Sequence, residues 1–248
     1  MGMSERKALV TGGSRGIGRA IALALGARGY AVTVMGRSEK ALAQAVAAGV
    51  ALRSQAVDVT DDDALHRAVA QSGPWHVLVN NAGAAESAPL AGTDLALVRR
   101  MMAVNVESAF TASRAALPGM MELGFGRIVN VASIAGLKGY AYVSAYCAAK
   151  HAVIGMTRAL AAELVKSGIT VNALCPGYTD TDLVAGAADA IARKTGRTAG
   201  EAIGHFARTN PSGRLITPEE IADAALWLCS DGAAAVTGQA IAVAGGDP

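Results

Sequence analysis

The sequence has little net charge and few cysteines, and both shortages exclude classes of protein. Its 22 basic and 20 acidic residues leave a formal net charge of +2. The basic residues are scattered and form no stripe of the kind that binds nucleic acid or an anionic membrane. The three cysteines, Cys147, Cys175 and Cys229, are widely separated among apolar neighbours. They are expected to be reduced core thiols, with no disulfide framework and no metal site. Because the charge pattern suits neither nucleic acid nor a membrane, a small molecule is the expected partner.

Long hydrophobic runs are also missing. No charge-free apolar run reaches the length of a membrane span. Seven residues precede the first apolar strand, which leaves no room for a signal peptide, so we expect a soluble, cytoplasmic protein. The 248 residues can bury one sizeable core but are too few for two comfortable domains. The sequence therefore predicts a single domain over residues 1–248.

Short β-rich runs alternate with alanine-rich helical stretches, which is typical of βαβ units. The apolar runs cover residues 8–10, 31–35, 76–79, 127–132 and 169–174. Because these runs are almost continuously apolar, helices are expected on both faces of the sheet. The pattern predicts the α/β class, with a Rossmann-like doubly wound parallel sheet of about seven strands.

One stretch, from about Thr179 to Arg214, shows no clear pattern. It lies between the strand at 169–174 and a helix that Thr217 and Pro218 would begin as N-cap and first residue. Connections of this length are unusual inside a compact domain. We therefore expect residues 179–214 to form a mobile lid over a substrate.

A glycine-rich turn, TGGSRGIG at 11–18, follows the first strand and leads into a helix. Ligands of doubly wound sheets bind beyond the carboxyl ends of the strands, which is where this turn lies. Its glycines would let backbone N–H groups approach a pyrophosphate at the helix N-terminus. The turn predicts a dinucleotide site, although a tight strand-to-helix connection alone needs only one or two glycines. The residues expected to contact the cofactor are Gly12, Ser14, Arg15, Gly16, Ile17 and Gly18.

The same turn matches a second pattern. Gly12, Ser14 and Gly16 spell the GxSxG nucleophile elbow of hydrolases, also found between a strand and a helix. That alternative needs an acid and a histidine downstream. None of the four histidines clearly ends a strand, which makes the hydrolase interpretation the weaker one.

The residues after the second apolar run bear on the choice of cofactor. An NAD site usually presents a carboxylate there, whereas this chain has Gly36 and Arg37. Arg37 and Arg15 could together hold a 2′-phosphate, so NADPH is preferred over NADH. The alternative is that both are solvated surface arginines. Asp58, with Val59 beside it, could accept a hydrogen bond from the adenine amino group.

Tyr146 and Lys150 lie four positions apart in a helical stretch, so one helix face carries both. A tyrosine is a poor acid or base at neutral pH, and a cation one turn away is expected to lower its pKa. Ser133 ends the run at 127–132 and could hydrogen-bond the same substrate oxygen. Taken alone, a Tyr and a Lys at this spacing are commonly an ordinary surface pair.

These motifs, in this order, resemble the short-chain dehydrogenase/reductase family over essentially the whole chain. The resemblance rests on the glycine turn, NNAG at 80–83, Asn105, Ser133, the Tyr146-to-Lys150 spacing and PG at 176–177 with Thr181. It implies that Ser133, Tyr146 and Lys150 are catalytic, that Lys150 also holds the nicotinamide ribose, and that Asn105 links Lys150 to a water-borne proton relay. It further implies cofactor contacts from Asn81, Ala82, Gly83, Pro176, Gly177, Thr179 and Thr181. In this family Tyr146 would protonate the carbonyl oxygen as hydride reaches the carbon.

A softer likeness indicates the substrate. The runs at 126–133, 168–177 and 235–240 are most similar to β-ketoacyl-thioester reductases and polyketide ketoreductases. Arg127 fits a residue that docks an acyl carrier protein, but Ser167 occupies the second usual position, with Lys166 beside it. The lid has basic and apolar side chains able to cover an acyl-CoA or a ring system, or merely to form a solvated helix face. These are Arg193, Lys194, Arg197, Arg208, Leu183, Val184, Ile191 and Phe206. Tyr140 and Tyr142 could line the substrate pocket or belong to the core.

Three functions stay open. The first is NADPH-dependent reduction of a 3-ketoacyl thioester or a related ketone. The others are an NAD-linked secondary alcohol or hydroxyacid dehydrogenase, and a non-catalytic dinucleotide sensor. The family resemblance also implies a homodimer or homotetramer, which the helical stretches around 93–118 and 144–166 and the apolar C-terminal run could form.

Overall fold

A computed structural model describes residues 6–196 and 198–247, without the side chains of Lys194 and Thr195. The strands are β1 Lys7–Thr11, β2 Ala31–Gly36, β3 Arg53–Ala56, β4 Val77–Asn80, β5 Gly126–Val131, β6 Ile169–Pro176 and β7 Ala240–Val243. They form one seven-stranded parallel sheet in the order β3-β2-β1-β4-β5-β6-β7. The predicted single-domain, doubly wound α/β sheet is confirmed.

Helices cover both faces of this sheet. They are α1 Gly16–Ala27, α2 Glu39–Ala47, α3 Asp62–Ser72, α4 Leu95–Met102, α5 Ser108–Leu123, α6 Ser144–Leu164, α7 Asp182–Thr195, α8 Ala199–Thr209 and α9 Pro218–Cys229. Neighbouring residues of β1 divide between the two layers: Val10 packs in the core beneath α1, α2 and α9, and Leu9 in the core beneath α3, α5 and α6. Such two-sided burial explains why the central strands have continuous apolar runs and no alternation.

The chain reverses its direction of winding between β1 and β4. From β1 it adds β2 and β3 on one side, then returns to place β4 on the other side of β1. At such a switch point the loops after the two central strands diverge and leave a crevice at the carboxyl edge. The loops after β1 and β4 carry the glycine turn and the NNAG segment, so the fold brings these two motifs together.

The two edge strands were not predicted as strands, and β3 lacks an apolar run altogether. β3 has the sequence RSQA and is largely exposed at one edge of the sheet, and β7 is partly exposed at the other edge. Edge strands bury less surface, so their sequences need not be hydrophobic. The C-terminal apolar run contains β7, which pairs with β6.

The expectation of an irregular segment at 179–214 is wrong. It contains α7 and α8, which bury Ala188, Ala202 and Phe206 in a small apolar cluster of their own. A capping box of Thr198 and Glu201 starts α8. Arg197 and the Lys194 side chain lie outside the described residues. We use "lid" below for residues 179–214.

Other local predictions can be compared with the structure. Thr217 and Pro218 begin α9 as its N-cap and first residue, as predicted. The stretch around 93–118 is not one helix, because a π-helical turn at Ala103–Glu107 separates α4 from α5. All three cysteines are free and buried. Within the described ranges, no helix combines the length and apolarity that crossing a bilayer requires.

Candidate active site

The glycine turn after β1 has the shape of an anion cradle. Gly12 and Gly16 have φ angles of +64° and +51°, the left-handed region that favours glycine. A Cβ added to Gly18 would lie 2.3 Å from Asn81 Nδ2 and 2.5 Å from the Gly12 carbonyl oxygen. Arg15, at the N-cap of α1, makes no side-chain cap, and the first turn holds no acidic residue. The N-terminal N–H groups are therefore available to a phosphate, so the turn fits a dinucleotide.

Thr11 and Asn81 hold this turn to the loop after β4. Thr11 Oγ1 accepts hydrogen bonds from the backbone N–H groups of Asn81 and Ala82, both at 3.0 Å. Asn81 Nδ2 donates to the carbonyl oxygens of Thr11 and Gly12, at 3.0 and 3.1 Å. The Asn81 amide thus holds the glycine turn in place. Thr11 is a site residue that sequence reasoning missed. Thr11 opens the glycine-rich motif, but the pattern does not show that its hydroxyl binds the loop after β4.

The residues expected around adenosine lie at the ends of β2 and β3. Arg37 is exposed beyond β2, and Asp58 Oδ1 accepts from Thr60 N and Thr60 Oγ1 at 3.0 and 2.8 Å. These bonds lower the pKa of Asp58, and the charge of Arg37 adds to the effect. Val59 is buried in the core. Arg15 is also exposed, 3.9 Å from Asp182, a pair that contributes little stability at this exposure.

Ser133, Tyr146 and Lys150 converge beside the carboxyl end of β5. Lys150 is buried, its Nζ donating to the Val131 carbonyl oxygen at 2.9 Å and lying 5.6 Å from the centre of the Tyr146 ring. The Ser133 hydroxyl lies close enough to the Tyr146 hydroxyl to oppose the rise in its pKa. A Cβ on Gly136 would lie 2.6 Å from the Lys150 carbonyl oxygen, so the turn after Ser133 packs directly on α6. The three predicted residues therefore form one cluster.

Burial sets the protonation of this cluster. It raises the pKa of Tyr146 to about 12, although the Ser133 hydrogen bond acts in the opposite direction. It lowers the pKa of Lys150 to about 8. The expectation that Lys150 brings the Tyr146 pKa down is wrong for the protein without ligands, because loss of water around the phenolate dominates. At neutral pH Tyr146 therefore holds its proton and Lys150 its charge.

Asn105 lies in the π-helical turn, a feature common at functional sites. Its Nδ2 donates to the carbonyl oxygens of Ala84 and Met101, at 2.9 and 3.0 Å. A Cβ on Gly83 would lie 2.7 Å from Asn105 Oδ1 and 3.6 Å from Lys150 Nζ. Asn105 is thus fixed against the loop that adjoins Lys150.

The segment after β6 closes the other side of the crevice. The Thr181 methyl lies 3.4 Å from where a Cβ of Gly16 would be, directly over the glycine turn. Thr179 is buried and donates to the Gly177 carbonyl oxygen at 2.9 Å. Pro176 ends β6, and Gly177 has room for no side chain because Asn210 Oδ1 would lie 2.8 Å from its Cβ.

Asn210 is a second residue that the sequence did not reveal. Its Oδ1 accepts from Tyr178 N at 3.1 Å, and its Nδ2 donates to the carbonyl oxygens of Tyr178 and Arg214, at 2.9 and 2.7 Å. These bonds tie the beginning of the lid to its end. The Tyr178 ring stacks on Phe206 of α8, with ring centres 4.6 Å apart.

Arg127 does not lie at the entrance of its own chain's site. It stands near the amino end of β5, opposite the carboxyl edge that carries Ser133. Its side chain is buried, stacks on Phe125 and donates to the carbonyl oxygens of Gly126 and Gly168. The structure therefore does not place Arg127 beside the crevice of its own chain.

Comparisons with known proteins agree with this geometry. A family model described as enoyl-(acyl carrier protein) reductase matches residues 12–247. The chain is 43% identical to cis-4-hydroxycyclohexanecarboxylate dehydrogenase of Sinomonas cyclohexanicum, over 98% of this chain and 96% of that protein. It is 38% identical to acetoacetyl-CoA reductase of Rhizobium meliloti, over 98% of both. A crystal structure of a variant actinorhodin polyketide ketoreductase with NADPH matches with a TM-score of 0.92 and 37% identity, covering 98% of this chain and 97% of that one.

Proposed function

Because this chain belongs to the short-chain dehydrogenase/reductase family of oxidoreductases, we propose that it reduces a 3-ketoacyl thioester or a related ketone with NADPH. The observation that carries the proposal is the cluster of Ser133, Tyr146 and Lys150 at the edge of the sheet that also holds the glycine turn. The cluster can polarise and protonate a carbonyl oxygen, and the turn can hold the cofactor beside it.

NADPH, when bound, supplies the hydride that the carbonyl carbon receives. Gly12, Gly16 and the first N–H groups of α1 would hold its diphosphate, with Thr181 closing over them. Arg15 and Arg37 are exposed and would meet the 2′-phosphate. A structural relative was crystallised with NADPH, which supports the same choice here.

The chain's own residues would handle the proton. Ser133 would hydrogen-bond the substrate carbonyl oxygen and orient it, and Tyr146 would donate its proton to that oxygen. The Lys150 ammonium would hold the nicotinamide ribose and stabilise the phenolate that remains. Asn105, fixed beside Gly83 and Lys150, would support the water that returns a proton to the pair.

Exposed apolar side chains around the crevice favour an acyl or ring substrate. Leu90, Leu95, Tyr142 and Leu183 lie exposed on the segments that follow β4, β5 and β6, all at the carboxyl edge. Arg193 and Arg208 of the lid are also exposed and could face the phosphates of a CoA carrier. The acetoacetyl-CoA reductase among the relatives supports a thioester.

The test is NADPH-dependent turnover of a small panel. Acetoacetyl-CoA, its N-acetylcysteamine thioester and 4-oxocyclohexanecarboxylate sample thioesters and a cyclic ketone, and crotonyl-CoA tests the enoyl reduction in the family description. We expect ketone reduction, with kcat falling about 10²- to 10⁴-fold in Tyr146→Phe while NADPH binding is retained. Reduction of crotonyl-CoA alone, or full activity in Tyr146→Phe, would contradict the proposal.

A second candidate is the oxidation of a secondary alcohol with NAD. The 43% identical relative is named as a hydroxycyclohexanecarboxylate dehydrogenase, and this reaction could use the same cluster. Comparing kcat/KM for NADPH and NADH separates the two candidates. Equal kcat/KM values for the two cofactors would contradict the proposal that Arg15 and Arg37 select NADPH.

We further propose that the protein works as a homodimer or homotetramer in the cytoplasm. Phe110, Leu117 and Met121 recur on one face of α5, with Phe110 52% exposed and Met121 51% exposed. Phe110 and Leu117 border a groove between α5 and α6 that also includes Leu160. An apolar stripe of this kind suits an isologous contact with a second copy. The cytoplasmic location would keep the three buried thiols reduced.

A further inference from the structure

The end of the chain turns back toward the candidate site. After β7, Gly245 and Gly246 have φ angles of +62° and +99°. A Cβ on Gly245 would lie 2.2 Å from Ser212 Oγ, and a Cβ on Gly246 would lie 3.4 Å from Pro211. Only glycines let the chain make this turn so close to the end of the lid. The turn delivers Asp247 to a buried position with 5% of its surface exposed.

The carboxylate of Asp247 binds two residues of one loop. Lys138 Nζ pairs with one carboxylate oxygen, and Tyr140 Oη donates to the other at 2.9 Å. A buried carboxylate is costly without such partners, and replacing it with a neutral amide weakens both contacts because their charge assistance is lost. Lys138 and Tyr140 lie between Ser133 and Tyr146 in the sequence, on the loop that joins these two residues of the candidate active site.

Tyr140 also contacts an aromatic pair that includes a residue of the lid. The edge of its ring meets Tyr178, with ring centres 6.5 Å apart at 86°, and Tyr178 stacks on Phe206. Tyr178 is also close enough to Tyr146 to affect its electrostatics. The three aromatic rings thus connect Asp247 to the substrate side of the crevice.

We propose that Asp247 is a positioning residue, which through Lys138 and Tyr140 fixes the aromatic wall that the substrate contacts. The proposal rests on the proposed function, since it assigns this wall to the carbonyl substrate. Within the described residues the Asp247 carboxylate contacts Lys138 and Tyr140, and neither is given a cofactor contact above. Its loss should therefore weaken substrate binding more than cofactor binding.

The experiment compares Asp247→Asn with Asp231→Asn. Asp231 is a matched control because it also pairs with a cation, Arg6, but is 73% exposed and remote from the loop at 138–140. With acetoacetyl-CoA as the probe, we expect Asp247→Asn to raise KM about five- to tenfold, the typical net effect of one lost hydrogen bond. The kcat and the KM for NADPH should stay within about twofold of the wild type.

Two further variants separate positioning from general stability. Tyr140→Phe removes only the donated hydrogen bond and should reproduce part of the rise in KM. Combined with Asp247→Asn it should add nothing, because both changes break the same contact. Unchanged KM in Asp247→Asn, additive effects in the double variant, or equal losses in kcat, both KM values and Tm would each overturn the proposal.

Hydrogen exchange of the cofactor-free protein gives a readout that needs no turnover. Peptides covering residues 138–142 and 205–212 should exchange faster in Asp247→Asn than in Asp231→Asn. If the wild type reduced no ketone of the panel, the proposed function would fail, and this measurement would still decide whether Asp247 holds the wall. Equal exchange rates in the two variants would refute the proposal that Asp247 holds the aromatic wall in place.

Discussion

Gly18 offers a sharp test of the cofactor cradle, because a single methyl group there meets backbone and side-chain atoms at once. A Cβ at this position would lie 2.5 Å from the Gly12 carbonyl oxygen and 2.3 Å from Asn81 Nδ2. The first contact is with backbone, so the turn itself has to move. Overpacking of this kind costs about 1–3 kcal/mol. The displacement falls on the N–H groups that would hold the diphosphate.

The matched control lies on the same helix. Gly26 also belongs to α1, and a Cβ there would meet nothing within 4 Å. Gly26→Ala should therefore stabilise the protein by up to about 1 kcal/mol and leave the cofactor site intact. Gly18→Ala should raise the Kd for NADPH about tenfold to a hundredfold, since each 1.4 kcal/mol is a factor of ten.

Fluorescence titration with NADPH and urea unfolding measure the two effects separately. The reasoning is refuted if Gly18→Ala binds NADPH as tightly as Gly26→Ala does. It is also refuted if Gly18→Ala loses affinity only in proportion to a general loss of folding stability. In that case the turn would not be the part of the molecule that contacts the cofactor.

Two further predictions concern protonation and assembly. Because burial lowers the pKa of Lys150 to about 8, its ammonium is present below that value and lost above it. Ketone reduction at saturating NADPH should therefore decline as the pH rises through about 8, and a flat profile across that value would contradict the role given to Lys150. Phe110→Asp should reduce the molar mass in light scattering to that of a smaller assembly. The control Leu52→Asp, which also changes an exposed apolar side chain but lies outside α5, should not. An unchanged molar mass in Phe110→Asp would contradict the proposal that α5 forms the contact between subunits.

The fold and the centre of the site could be predicted because their signals are local. Buried parallel strands have continuous apolar runs, and the residues that follow them meet at one edge of the sheet. This rule predicted that Gly12 and Ser133 lie at the carboxyl edge of the sheet, where the structure has them. The helical repeat predicted that Lys150 lies on the same helix face as Tyr146. The family membership also removes the hydrolase interpretation of Ser14.

The features that sequence reasoning missed depend on contacts between distant parts of the chain. Thr11 binds the loop after β4, Asn210 binds Tyr178, and Asp247 binds Tyr140. None of these partners lies within a helical or strand repeat of the other, so no periodicity points to them. The position of Arg127 at the start of the run at 127–132 already placed it at the end of β5 away from Ser133.

The pKa of Tyr146 shows how burial changes the chemistry that a spacing rule suggests. On an exposed helix a lysine one turn away would lower the tyrosine pKa, but here both groups are buried, which raises the pKa of Tyr146 and lowers that of Lys150. A tyrosine with a pKa of about 12 stays protonated at neutral pH and is ready to donate. The alkoxide formed when hydride reaches a carbonyl is a far stronger base than a phenolate, so this donation is still downhill. The reverse reaction needs the phenolate, which is scarce until the pH approaches that value. At neutral pH the buried pair therefore combines a protonated Tyr146 with a charged Lys150, which is the combination that ketone reduction requires.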